Sequence, residues 1–174
     1  MPDHKRRSQV AREDGVVATL ERFIEAQDDR GAFATALAEM KAGRKQGHWI
    51  WYVFPQLSGL GLSRISQIYG IRDRAEAEAY LRTSVLFSRL QAITAAVAEH
   101  VRTGARVDIL MNSPIDAQKL VSSLTLFGRV ARDLKASGAH ESYGQFATTA
   151  AEVLAAAERD GYPRCRHTES MLGG

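Results

Sequence analysis

Three groups of side chains in this chain combine types and spacing that chemistry can use. The first is His48, with Arg44 and Lys45 just before it. An imidazole exchanges protons near neutral pH and is the usual first candidate for acid–base work. The two cations would draw an anionic ligand towards it. Trp49, Trp51 and Tyr52 follow and offer flat faces on which a base or another planar ring can stack. His48 is therefore the candidate catalytic residue, and Arg44 and Lys45 are candidate ligand contacts. The competing reading is packing: WIWYVF (49–54) is an apolar run, such runs are mostly core, and the histidine would then serve a buried backbone group.

The second group is Gln56 with the loop SGLGLS (58–63). Gly59 and Gly61 let backbone N–H groups come close to a ligand, and a loop running into a helix at Ser63 can receive an anion. The spacing lacks the third glycine of a dinucleotide fingerprint. A tight turn between helices explains the same residues. The third group is Lys119, Ser122 and Ser123, with Thr125 nearby. At about 100° per residue the first three share one side of a helix, opposite its apolar stripe. A peripheral helix would make this a solvated face. Leu126 points the same way, however, and a covered lysine flanked by hydroxyls suits a phosphate or carboxylate.

Other chemistries find little support. His-x-x-x-His, Cys-x-x-Cys and HExxH are absent, so no metal site is expected, and Cys165-x-His167 is too thin to count as one. No GxSxG elbow is present. No cofactor is implied.

The bulk properties set the frame for these groups. The chain has 174 residues, 45% of them hydrophobic and 25% charged, which predicts one globular domain with a real core. A net charge of +3 is too small to imply nucleic acid, and the first 15 residues mix both signs. No apolar run spans a bilayer and no signal-peptide pattern opens the chain, so membrane insertion and secretion are not expected. The single cysteine fits a reducing compartment. The expected location is the cytoplasm, and oligomeric state is left open.

Helical periodicity supplies the elements that must position these residues. Residues 1–15 are polar and aperiodic and are read as a disordered tail, leaving 16–174 as the domain. Val17, Leu20, Ile24 and Gln27, with Phe23 beside them, follow helical spacing, as do Phe33, Leu37 and Met40 up to Gly43. WIWYVF looks like a buried strand until one asks what would pair with it. VDILM (107–111) is too brief, and a lone strand leaves its backbone unsatisfied. A buried helical turn is the better reading. Ser63 and Asp73 are set to cap short helices. The clearest long helix runs from Ser84 to Arg102. Ser113-Pro114 starts another that reaches about Ala136 with an interruption at Gly128. Ser142-x-x-Gln145 resembles a capping box for a last long helix that ends near Gly161, followed by a short polar tail. The fold class predicted is all-α, a single compact multihelical domain.

The segments LERFIEAQ (20–27), ALAE (36–39), GRKQGHWIWYVFPQLSGLGLS (43–63), YGI (69–71), EAEAYL (76–81) and DAQKLVSSLTLF (116–127) together resemble the uncharacterised bacterial domain-of-unknown-function family 1810. The HW-x-W-x-x-FPQL-x-GLG-x-S block is its most specific part. The resemblance implies a small multihelical fold and brings no reaction. Some members carry a calpastatin-like label, which nothing in this chain supports. The chain departs from the family pattern at Thr83-Ser84, where a His-Pro pair is usual, and at Phe87 and Asn112, where glycine is usual. Asn is the next-best residue for a left-handed backbone.

Two function classes follow. One is a protein, with or without enzymatic activity, that takes an anionic nucleotide-like small molecule between the FPQLSGLGLS loop and the KLVSSLTLF helix. Hydrolysis or transfer on a nucleotide-derived substrate would fit. The other is a non-enzymatic interaction or structural module, for which an exposed apolar patch would be needed.

Overall fold

A helix that is apolar on one side needs one partner, but a helix buried all round needs a shell of them. The protein, seen in a computed structural model that describes residues 19–173, is built around a helix of the second kind. In chain order the helices are α1 (19–28 as described), α2 (Ala32–Lys41), α3 (Ile50–Val53), α4 (Arg64–Ile68) and α5 (Arg74–Arg82). They continue with α6 (Ser84–Arg102), α7 (Val107–Leu110), α8 (Pro114–Ala136), α9 (Glu141–Arg159) and α10 (Arg166–Met171). A 3₁₀ turn, Asp29–Gly31, joins the first two. Every residue of α8 from 120 to 127 is buried, and α3, α5, α7, α9 and α10 all pack on it. α6 lies outside this layer against α2, α5 and α9. The result is an all-α, single compact domain with no strand among the described residues. The tail read over residues 1–15 lies outside them.

Local signals account for most helix starts. Ser113 accepts hydrogen bonds from the N–H groups of Ile115 and Asp116, with Pro114 at the first helical position. Asp73 accepts from Glu76 N–H, and Ser63 from Ser66 N–H. The aromatic run does form a helical turn, α3, and so does VDIL in α7. Among the described residues strand-like pairing is limited to a single parallel bridge, Leu57 to Ile71. Asn112 has φ 56°, the left-handed conformation that a family glycine would take easily, and its side chain accepts a hydrogen bond from Arg44 at 2.9 Å.

Three local expectations need correction. Gly128 does not interrupt α8. It lets α9 approach, since a Cβ there would sit 3.2 Å from the Ala150 methyl. The cap of α9 is His140 rather than Ser142: its ring Nδ1 accepts the Ser142 N–H at 3.2 Å. The C-terminal tail is not merely polar. It contains α10, in which Thr168 is buried, and Leu172 just beyond it is buried as well.

Two carboxylates tie the layers together. Glu39, on α2, accepts hydrogen bonds from Gln46 N–H, Gly47 N–H and the indole N–H of Trp49, the last at 2.8 Å. It thereby shapes the loop that leads into α3. Burial raises the Glu39 pKa, but these donors and Lys45 more than offset it, so the carboxyl lies below its usual range. Glu76 is 1% exposed and accepts from Arg22 at 2.8 Å and from the backbone N–H of Arg72 at 2.8 Å. Arg22 also donates to the carbonyls of Ile68 and Gly70, so one guanidinium joins α1, the end of α4 and α5. Burial pushes the Glu76 pKa up, but the Arg22 and Arg72 contacts win and hold it low.

Two outcomes follow. Trp49→Ala removes a nearly fully buried indole and is expected to cost about 3–5 kcal/mol in chemical denaturation, with Glu39 left short of one donor. A group whose folded pKa is lowered lends stability above its unfolded pKa, and that stability is lost as pH falls through the folded value. Glu76→Gln is therefore expected to cost about 2–3 kcal/mol at pH 7. It should also flatten the loss of stability below about pH 4.3, measured by denaturation at stepped pH.

Candidate functional site

A cleft of about 460 Å³ opens between the loop after α3 and the first half of α8. That volume falls in the range typical of small-molecule sites. One wall is the loop Gln56–Gly61. It is pinned by hydrogen bonds from Ser58 N–H to Ile71 O at 2.8 Å and from Ile71 N–H to Gln56 O at 2.9 Å. The floor is α8, which presents Gln118, Lys119 and Ser122. The other wall is the segment that leads into α10, with Tyr162 and Cys165. Tyr162 is anchored by its hydroxyl to Asp108 at 3.3 Å, and Cys165 N–H donates to the Thr125 hydroxyl at 3.4 Å.

The electrostatics of the cleft centre on Asp116, in the first turn of α8. It pairs with Lys45 at 2.8 Å and with Lys119 at 3.3 Å. Each lysine also lies over a tryptophan ring: Lys45 over Trp49 at 5.1 Å, and Lys119 over Trp51 at 4.5 Å. Lys45 is only 5% exposed and donates to Gly47 O as well, so its ammonium is bound up within the protein. Lys119 has only a share of the carboxylate and faces the cleft. One acid between two ammonium groups leaves a net positive charge here. The Trp51 indole N–H is a buried donor without a partner among the described residues; it lies outside the cleft lining, in a small adjoining pocket with Gln56 and Lys119.

The residues singled out from sequence divide into three sets. Gln56, Gly61, Lys119 and Ser122 line the cleft together. Lys45 and Thr125 stand behind it. The Thr125 hydroxyl donates to Val121 O at 2.7 Å, and Ser123 is fully buried with no partner for its hydroxyl. The remainder lie elsewhere. His48 is exposed and has no hydrogen bond or ion pair among the described residues, Arg44 reaches Asn112, and Ser63 caps α4. Gly59 is exposed with φ 91°, and a Cβ at Gly61 would meet the Ser66 hydroxyl at 2.5 Å. The left-handed backbone favours glycine at Gly59, whereas at Gly61 the close approach of the Ser66 side chain does. Ser122 and Ser123 are covered, so this side of α8 is not a solvated face.

Sequence reasoning did not anticipate Asp116, Gln118, Tyr162 or Cys165 at the site. Asp116 was visible only as part of a helix start. Gln118 adjoins Lys119 on α8, within reach of the same helical reasoning, whereas Tyr162 and Cys165 depend on where residues 161–165 fold back, which periodicity does not encode. Among the described residues no three His, Cys, Asp or Glu side chains gather as a metal would need.

A second concavity, about 360 Å³, lies between α8, α9 and the C-terminal segment, with Arg129, Arg132, Lys135 and Arg164 on its rim. Its charges are compensated only in part, since Arg132 and Arg164 form no ion pair among the described residues. Arg129 pairs with Asp133, Lys135 with Glu141, and Glu169 sits in the lining.

The known proteins that this chain resembles say little about chemistry. Residues 17–152 match the family described as protein of unknown function (DUF1810). The chain belongs to that family. A solved structure with the same fold is the conserved hypothetical protein Rv1873 from Mycobacterium tuberculosis. It is 34% identical, the match covers 89% of this chain and 96% of that one, and the TM-score is 0.72. No curated protein matches the chain. The DUF1810 match includes the loop and the α8 floor of the cleft and ends before the wall formed by residues 161–165.

The shared carboxylate makes the two lysines unequal. Lys45→Met is expected to cost about 2–3 kcal/mol, because a buried, doubly bonded ammonium is lost. Lys119→Met should change stability by less than about 1 kcal/mol, because Asp116 keeps Lys45. Urea titrations of both variants check the order, and equal losses would show that the fold depends on both lysines alike.

Proposed function

We propose that this DUF1810 protein binds a small anionic, nucleotide-like molecule in the cleft between loop 56–61 and α8. The observation that carries this reading is the pair of lysines around one carboxylate, with the surplus charge on the side chain that faces the cleft. An anion about 4 Å from an ammonium gains about 4 kcal/mol at the effective dielectric typical of a protein surface, before desolvation. Gln56 and Gln118 amides can donate to the same ligand or accept from it. Lys119 is the anion contact and the glutamines orient the ligand. His48 is a poor candidate for acid–base work in this cleft because it is exposed and not part of the lining.

The reading of the protein as an interaction module has weaker support. The large apolar side chains left exposed among the described residues are Leu62, Ile68, Ile109, Ile115 and Met171, and Ile115 belongs to the cleft lining.

A thermal-shift comparison of nucleoside monophosphates, the matching free nucleosides and inorganic phosphate tests the proposal. A ligand at 100 times its Kd adds about 2.7 kcal/mol to stability, a rise of several degrees for a chain of this length. The monophosphates are expected to raise the wild-type melting temperature more than the nucleosides do, and Lys119→Met should abolish the difference. If no compound shifts the wild type, the cleft reading gives way to the interaction module.

A further inference from the structure

We propose that the concavity between α8, α9 and the C-terminal segment is a second ligand site, which takes a monocarboxylate on a medium-length aliphatic chain. It shares no lining residue with the Lys119 cleft and does not rest on the nucleotide reading.

The cavity holds about 360 Å³, within the range of small-molecule sites. Its interior is aliphatic. Leu124 comes from α8, Ala147, Ala151 and Leu154 come from α9, and Leu172 follows α10. The two hydroxyls in the lining are already engaged within their own helices. Thr125 donates to Val121 O at 2.7 Å, and Thr148 donates to Gly144 O at 3.0 Å. Neither needs a partner in the cavity. Among the described residues no aromatic side chain lines it, so it offers no ring on which a base could stack. An alkyl chain suits this interior and a nucleotide does not.

The rim sets the charge of the ligand. Arg129 pairs with Asp133 at 3.2 Å and also donates to Gly173 O at 3.3 Å, and Lys135 pairs with Glu141. Those two cations are occupied. Arg132 and Arg164 are exposed, and their guanidiniums make no hydrogen bond or ion pair among the described residues. Glu169, the carboxylate of the lining, has no ion pair among them either. Two free guanidiniums against one carboxylate leave a single surplus positive charge. A monoanion matches that surplus, whereas a phosphate monoester, close to doubly charged, exceeds it. A guanidinium fork meets a carboxylate through two parallel hydrogen bonds. The head group therefore sits on Arg132 and Arg164, and the chain runs inward over Leu124, Leu154 and Leu172.

Calorimetric titration of the intact protein with hexanoate, octanoate and decanoate, each below its micelle-forming concentration, tests the site. Octanoate is expected to bind with one-to-one stoichiometry. A buried methylene strengthens binding by up to about fourfold, so affinity should climb from hexanoate to octanoate. Neutral octanamide should bind roughly tenfold more weakly than octanoate. In the double variant Arg132→Gln, Arg164→Gln that difference should vanish while octanamide affinity holds. Ala151→Phe should fill the cavity and abolish the dependence on chain length. All three positions are exposed, so these changes leave the core intact.

No octanoate binding, equal affinity across the chain lengths, or an octanoate–octanamide difference that survives loss of both arginines overturns the proposal. Amide NMR shifts locate the bound octanoate. They are expected in residues 124–135 and 144–151, and shifts confined to 56–61 and 118–122 would put the chain in the Lys119 cleft and refute a second site. Failure here is separable from failure of the nucleotide reading, because that one is decided by Lys119→Met and this one by the two arginines.

Discussion

One carboxylate shared between two lysines is the interaction on which the site depends. Asp116 sits in the first turn of α8, where a negative charge complements the helix dipole. Lys45 reaches it from the loop before α3, and Lys119 reaches it from the next turn of α8. Each lysine rests on a tryptophan from the aromatic run. The arrangement locks the aromatic segment onto the end of the central helix. It also explains the high density of basic and aromatic residues between Arg44 and Trp51. Most of them serve this junction, and only the partly compensated charge of Lys119 is turned towards the cleft.

The junction has a supporting layer. Glu39 fixes the loop from Gln46 to Trp49 through three donors, which places Lys45. The backbone N–H of Lys45 also donates to Leu110 O at 2.8 Å, so α7 holds the same loop from the other side. The segment 162–165 is positioned by Tyr162 on Asp108 and by Cys165 on Thr125. The two walls and the floor of the cleft are thus fixed by polar contacts at a few named atoms, against a core that is mostly apolar.

Much of the fold was legible because its signals are local. Ser113-Pro114, Asp73 and Ser63 are caps whose chemistry acts within three residues. The helical reading of WIWYVF follows from asking where a strand would find hydrogen bonds. The misses were of another kind. His140 caps α9 with a ring nitrogen, which composition does not flag. Gly128 has the look of a breaker when Ala150, its neighbour across the helix pair, is out of view. α10 is short, and its burial depends on docking against α8. The site was half legible: Gln56, Gly61, Lys119 and Ser122 follow from residue type and helical phase. Cys165 stands 46 residues beyond Lys119 and reaches the cleft only through tertiary packing. His48 stands out by type, yet its position on the loop turns it outward.

The central claim is that the cleft beside Lys119 is where this protein meets its ligand. The most direct measurement is a backbone amide NMR titration of the intact protein with adenosine monophosphate. The account predicts saturable shifts concentrated in residues 56–61, 118–122 and 161–165, and their loss in Lys119→Met. Saturable shifts clustered instead around Arg132 and Arg164, or no saturable shifts at all, would contradict it.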